Sequence, residues 1–139
     1  MGIDIHLEAD ERLSIIAIST TLRELGALGI ASDDTTAEGF FDSGLSVYAI
    51  CEFHDRTLYT EDTKGMDFPV AIRCYLRIKG PEPAGLSATG DLEKFIKRIA
   101  TRTEARFLVS LQHESALYWK NDDSLHAAQP ATRSETGSG

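Results

Sequence analysis

Two cysteines among 139 residues are too few to hold a zinc ion by themselves, and a disulfide between them would need their strands to pair in register, which a reducing cytosol disfavours. Cys51 and Cys74 each lie inside an apolar segment, where a thiol serves as core filling. The four histidines, His6, His54, His113 and His126, stand at no metal-ligand spacing relative to them, so no metal is expected. Long hydrophobic runs are also missing. The best candidates, 13–18 and 107–111, fall far short of the roughly 20 apolar residues that a spanning helix needs, which argues against a membrane protein. The opening Met-Gly-Ile-Asp-Ile-His-Leu-Glu turns acidic at Asp10 and Glu11, where a secretory signal would be basic and then apolar. A soluble, cytoplasmic protein is the expectation. Positive charge is scarce as well: 14 Lys and Arg face 22 Asp and Glu, and the net charge of -8 disfavours direct nucleic-acid binding.

Catalytic signatures are equally thin. The spacing Gly26-Ala-Leu-Gly29 fits neither a dinucleotide fingerprint nor a phosphate loop. The acidic pairs Asp33-Asp34, Glu61-Asp62 and Asp122-Asp123 lack the alternation of a calcium loop and read as solvated charge. Cys51 could meet His54 or His113, but its expected mid-strand position beside acids would raise its pKa and blunt its nucleophilicity. No enzyme activity and no cofactor are therefore expected.

What is present is ordinary globular material, 42% hydrophobic and 26% charged, enough for one domain over residues 1–125. From His126 to Gly139 no apolar residue is larger than alanine, and a disordered tail is expected. Residues 2–8 alternate Ile3, Ile5 and Leu7 with Asp4, His6 and Glu8, the pattern of a half-buried strand. From Asp10 the period changes: Ile15, Ile18, Leu22 and Leu25 predict a helix of about four turns capped at Gly26, although its β-branched residues also suit a strand. Residues 31–44 read as an acidic loop around Phe40 and Phe41. Residues 45–53 and 68–78 read as two strands joined in a long hairpin through the polar connection 54–67.

After the Pro- and Gly-rich stretch 80–90, Leu92, Phe95, Ile96 and Ile99 predict a second helix with Thr89 or Asp91 as N-cap. Its Lys94, Lys97, Arg98 and Arg102 suit a solvated face near the helix C-terminus. Strands follow at 106–112 and 116–120, with Tyr118 and Trp119 adjacent, so that one ring points outward and is available as an interface anchor. The expected fold class is α+β: an antiparallel sheet with two helices on one face, in β-α-β-β-α-β-β order, the split-βαβ order of ferredoxin-like sandwiches with one added strand. Such a fold hosts many functions and names none.

Charge is distributed unevenly, with 14 acidic and 4 basic side chains in residues 1–67 against 8 and 10 in residues 68–139. The negative field of the first half suits a basic protein partner, through steering and close charge pairing. The segment Phe-Leu-Val-Ser-Leu-Gln-His-Glu-Ser-Ala-Leu-Tyr-Trp-Lys-Asn-Asp-Asp-Ser-Leu, residues 107–125, resembles the closing strand pair of small immunity proteins from bacterial polymorphic toxin systems. That resemblance implies stoichiometric inhibition of a cognate toxin protein. The partner-binding residues would be Asp33, Asp34, Glu38 and Asp42 in the acidic loop and Tyr59, Glu61 and Asp62 in the connection, with Trp119 as an aromatic anchor. Two rival classes stand beside it. A ligand-binding regulatory module would dimerise through its sheet. An enzyme with a shallow site would bring His54, Asp55, His113 and Glu114 into one pocket.

Overall fold

The computed structural model describes residues 2–128. In chain order the elements are β1 (Gly2–Ala9), α1 (Ile15–Glu24), β2 (Leu28–Ser32), β3 (Thr36–Phe40), β4 (Leu45–Cys51), β5 (Ile72–Lys79), α2 (Ala88–Arg102), β6 (Phe107–Leu111), β7 (Ser115–Lys120) and β8 (Leu125–Ala127). The fold is α+β, with one antiparallel sheet ordered β2-β3-β4-β5-β1-β6-β7-β8. The two helices touch each other and share one sheet face.

Among the described residues eight strands rather than five make up this sheet, and its order departs from the expected ferredoxin-like pattern. The largest correction concerns 31–44: instead of a loop, β2 and β3 form a hairpin that lengthens one edge. Its turn is built by Asp33, whose Oδ1 accepts from the backbone N–H groups of Thr35 and Thr36 at 2.9 and 2.8 Å. Alternation was hard to see there because Gly39 takes an inward position; a Cβ at Gly39 would touch Ala27, Ile30 and Leu22. At the other edge, β8 carries order past the expected boundary at Leu125, and Ala128 N–H donates to Leu117 O at 2.9 Å. The remainder of the expected tail, 129–139, lies outside the described residues.

Helix α1 is shorter than the four turns expected. Ser14 accepts from Ala17 N–H as N-cap, and Gly26, at φ +81°, closes a double-bonded C-cap in which Ala27 N–H reaches Leu22 O and Gly26 N–H reaches Arg23 O. Asp10 lies outside the helix and binds Arg12 instead. Helix α2 begins one turn earlier than Asp91, capped by Ser87 through Gly90 N–H. The expected pairing of 45–53 with 68–78 is present as β4 with β5, Val47 facing Leu76 and Tyr48 facing Tyr75. Phe68 and Val70, however, do not continue the inward alternation of β5. They lie on the opposite sheet face, over Leu108. Pro69 supplies no N–H for a ladder there, which helps end the strand at Ile72.

The sheet register sorts the side chains into two sets. Toward the helices point Ala37, Ala49, Cys74, Leu7 and Val109 in one cross-strand row and Val47, Leu76 and Ile5 in the next, packed against Ile18, Leu22, Phe95, Ile96 and Ile99. Toward the other face point Glu38, Tyr48, Tyr75 and His6 in one row and Ile50, Arg73, Glu8, Leu108 and Trp119 in another. Half of that second face is covered by the segment 53–71, which crosses it as a strap; the rest is open.

Candidate functional site

Where the N-cap of α1, the β2–β3 turn and the end of β4 converge, a cleft of about 450 Å³ opens. Its rim carries four carboxylates, Glu11, Asp33, Asp34 and Glu52, and among the described residues lining it the one basic side chain is Arg56. The floor is apolar: Leu13, Ile15, Cys51, Ala71 and Ile72 line it. On the lip stand Ile16 and Phe53, 75% and 61% exposed, the two most exposed large hydrophobic side chains of the described chain.

Two of the rim charges, Asp33 and Glu52, are held in place. Backbone N–H groups of Thr35 and Thr36 and the Thr36 hydroxyl, all bonded to Oδ1, keep the Asp33 pKa below the usual carboxylate value. Glu52 is lowered to about 2, first by the Arg73 guanidinium at 2.8 Å and then by the backbone N–H groups of Asp55 and His54. Cys51 moves the other way, raised by burial and by Asp33, so its thiol stays protonated. Cys74 is fully buried and pushed up to about 12. The two thiols are free and out of register, because Cys51 pairs with Ile72 and Cys74 with Ala49. Carboxylates fixed in the charged form over apolar ground can receive a side chain with an aliphatic stem and a cationic head, as lysine and arginine have.

Behind the cleft the strap is latched to the sheet by hydrogen bonds to a buried ion pair. Glu8 and Arg73, 1% and 4% exposed, pair at 2.7 Å across β1 and β5. The same carboxylate accepts from Tyr59 N–H at 2.7 Å, from Thr60 N–H at 3.1 Å and from the Thr60 hydroxyl, which also lies 3.1 Å from the Ser110 hydroxyl. Arg73 also donates to the carbonyls of Asp55 and Thr57 at 2.6 and 2.9 Å, and its guanidinium lies 3.9 Å above the Tyr59 ring. Both buried charges are thus fully engaged with the strap, the condition under which burying them is tolerated. Farther along, Glu61 N–H and Asp62 N–H donate to the carbonyls of His113 and Glu114 in the β6–β7 turn, at 2.8 and 3.2 Å.

The open part of this face carries a line of rings: Tyr48, Tyr75, His6, His113 and Tyr59, each in edge or stacked contact with the next. Arg77 and Asp4 pair beside them at 3.1 Å.

The residues singled out in the sequence therefore fall into separate places. Asp33 and Asp34 stand on the cleft rim. Glu38 is on the open sheet face opposite Tyr48, and Asp42 is exposed in the β3–β4 turn at the far end of that hairpin. Tyr59 gives its hydroxyl to Asp55 at 2.6 Å, Glu61 clasps the β6–β7 turn, and Asp62 pairs with Lys64 at 3.1 Å. Trp119 is half-buried under the strap beside Leu108, with Lys64 over its ring at 4.9 Å and His126 stacked on it, while Tyr118 packs against the main core. The four residues of the shallow-enzyme alternative do not gather in one pocket: Asp55 reaches His113 only through Tyr59, and the exposed His54 uses its backbone N–H on Glu52. Among the described residues no group of three or more His, Cys, Asp or Glu side chains could hold a metal ion.

Sequence reasoning missed Glu11, Ile16 and Phe53 on the cleft, and Glu8 and Arg73 beneath the strap. The available signal was weak: Leu58, Met66, Phe68 and Val70 sit in or beside a connection that otherwise reads as polar, and they form the strap's apolar underside. Compared with models of known families, with curated proteins and with solved structures, the chain matches none. Among the described residues no helix is long and apolar enough to cross a membrane.

Proposed function

We propose that the protein is a stoichiometric inhibitor of the immunity type, which binds and neutralises a cognate bacterial toxin domain in the cytoplasm. The observation that carries this reading is the cleft of Glu11, Asp33, Asp34 and Glu52 with Ile16 and Phe53 on its lip. Fixed carboxylates around exposed apolar side chains provide both steering of a basic partner and an anchor for it. Glu38 extends the acidic surface along the β2–β3 hairpin. We read the inner strands β4-β5-β1-β6 with α1 and α2 as a split-βαβ unit that carries the two outer strand pairs as additions.

The test is co-expression with the product of the neighbouring reading frame, followed by capture at moderate salt. A one-to-one complex with a toxic protein, whose association slows by about tenfold when Asp33→Lys and Asp34→Lys are combined, supports the reading. A chain that captures nothing under those conditions overturns it. The alternative, a ligand-binding module that dimerises through its sheet, is favoured by the exposed rings Phe40, Tyr48 and Tyr75 on the uncovered face. It is distinguished by a self-associated dimer that Tyr75→Arg dissociates.

A further inference from the structure

His6 and His113 come from opposite ends of the chain and stack at 3.7 Å between ring centroids, 18° from parallel. The Nδ1 atoms of both are buried without any hydrogen-bond partner. His113 occupies this place at a conformational cost. It and Gln112, the central residues of the β6–β7 turn, both have positive φ, 65° and 53°, which non-glycine residues adopt only when surrounding contacts hold them there. Two of those contacts come from the strap: Glu61 N–H on the His113 carbonyl at 2.8 Å, and the Tyr59 ring edge-on to the imidazole at 5.7 Å. The histidine pair thus joins the sheet centre to the strap.

We propose that the stacked His6–His113 pair is a proton-operated clasp, closed when both imidazoles are neutral and opened by acidification, which frees the strap from the β6–β7 turn.

The groups facing the pair decide the direction. On β1 they are Asp4 and Glu8, on β5 Tyr75 with Arg73 and Arg77, on β6 Ser110, on the turn Glu114, and on the strap Tyr59, Asp55 and Glu61. Asp4 is engaged by Arg77 and Glu8 by Arg73, so the nearest carboxylates are already matched by cations. Burial and the neighbouring His113 lower the His6 pKa, and they outweigh the opposing pull of Asp4 and Glu8. A histidine whose pKa is lowered by folding stabilises the folded state above its ordinary value of 6.5. That contribution drains away as pH falls from there through the lowered value. Protonating both rings would place two positive charges face to face.

Hydrogen exchange of the Thr60, Glu61 and Asp62 amides, corrected for intrinsic rates, would be followed together with the imidazole C–H resonances in the intact chain. The range runs from about pH 7.5 to about pH 5.5, above the usual carboxylate titrations. The expected result is a loss of strap protection by about tenfold that tracks the histidine titration and is absent in His6→Gln and in His113→Asn, asparagine being tolerant of positive φ. Protection that stays constant in the wild-type chain, or that falls equally in both variants, overturns the clasp. Should either variant not fold, the wild-type data still decide, because strap opening at a pH distinct from the histidine titration refutes it.

Discussion

The two faces of this sheet are built from the same strands, one residue out of phase, and they solve burial differently. Under the helices, Leu7, Val109, Phe95, Ile96 and Phe107 are sealed by apolar contact that needs no particular partner for any atom. Under the strap, Glu8, Arg73, Thr60 and Ser110 are sealed equally well, but every buried charge depends on a named donor or acceptor. The first arrangement degrades gradually under substitution. The second fails sharply when one member is removed and is forgiving when both members of the pair go together.

This contrast can be broken most forcefully on the helix side. Phe95→Ala, at a side chain with no exposed surface, should cost about 3–5 kcal/mol in urea or thermal unfolding, with the whole domain melting in one transition. Arg73→Met should cost about 3 kcal/mol because it strands Glu8 in the interior, whereas Glu8→Leu combined with Arg73→Met should recover most of that loss. A double variant no better than the single would show that the strap is held by the bonds that Glu8 and Arg73 make to its backbone, and not by its apolar underside, Leu58, Met66, Phe68 and Val70.

Acid sharpens the same comparison without mutation. Glu52 and Asp55 both lie at about 2 in the folded chain, Glu52 chiefly through Arg73 and Asp55 through the Tyr59 hydroxyl and Thr57. Groups lowered on folding add stability above their unfolded values, and that stability is lost as pH falls from about 5 toward about 2. Trp119, packed beneath the strap, should report the change by fluorescence, and Glu52→Gln should flatten the profile. At the small end, Lys97→Ala removes an exposed pair with Glu93 at 2.9 Å on the solvent side of α2 and should leave the melting temperature unchanged within error.

Legibility in the sequence followed the same division. The helix-covered face was readable because alternation at Ile5 and Leu7, and helical spacing at Leu92, Phe95, Ile96 and Ile99, are patterns of apolar identity alone. Strands β2 and β3 were not, since Gly39 contributes inward packing without an apolar side chain and β2 is largely exposed along its length. Glu8 and Arg73 read as solvent-facing positions of their strands. Nothing local announces that a segment fifty residues away will cover Glu8, because ionic partners are matched in space rather than by period. The candidate cleft was half legible: acidity marked Asp33 and Asp34, but Glu11, Ile16 and Phe53 join them only through the docking of α1 beside β4.

The position of β1 bears on how the chain reaches its native state. Its neighbours are β5 and β6, so that Ile5 must meet both Leu76 and Leu111, and no adjacent stretch of chain can satisfy either edge of it. Local pairing is available from β2 through β4, which form successive hairpins, and those can assemble early. The earliest of the described strands is therefore the one that waits longest for its partners. One edge of it, with the apolar row of Ile5 and Leu7, has no partner until β5 is available, and the other has none until β6 follows. Refolding should therefore be limited by long-range closure around β1, with unpaired edges most open to association before that step.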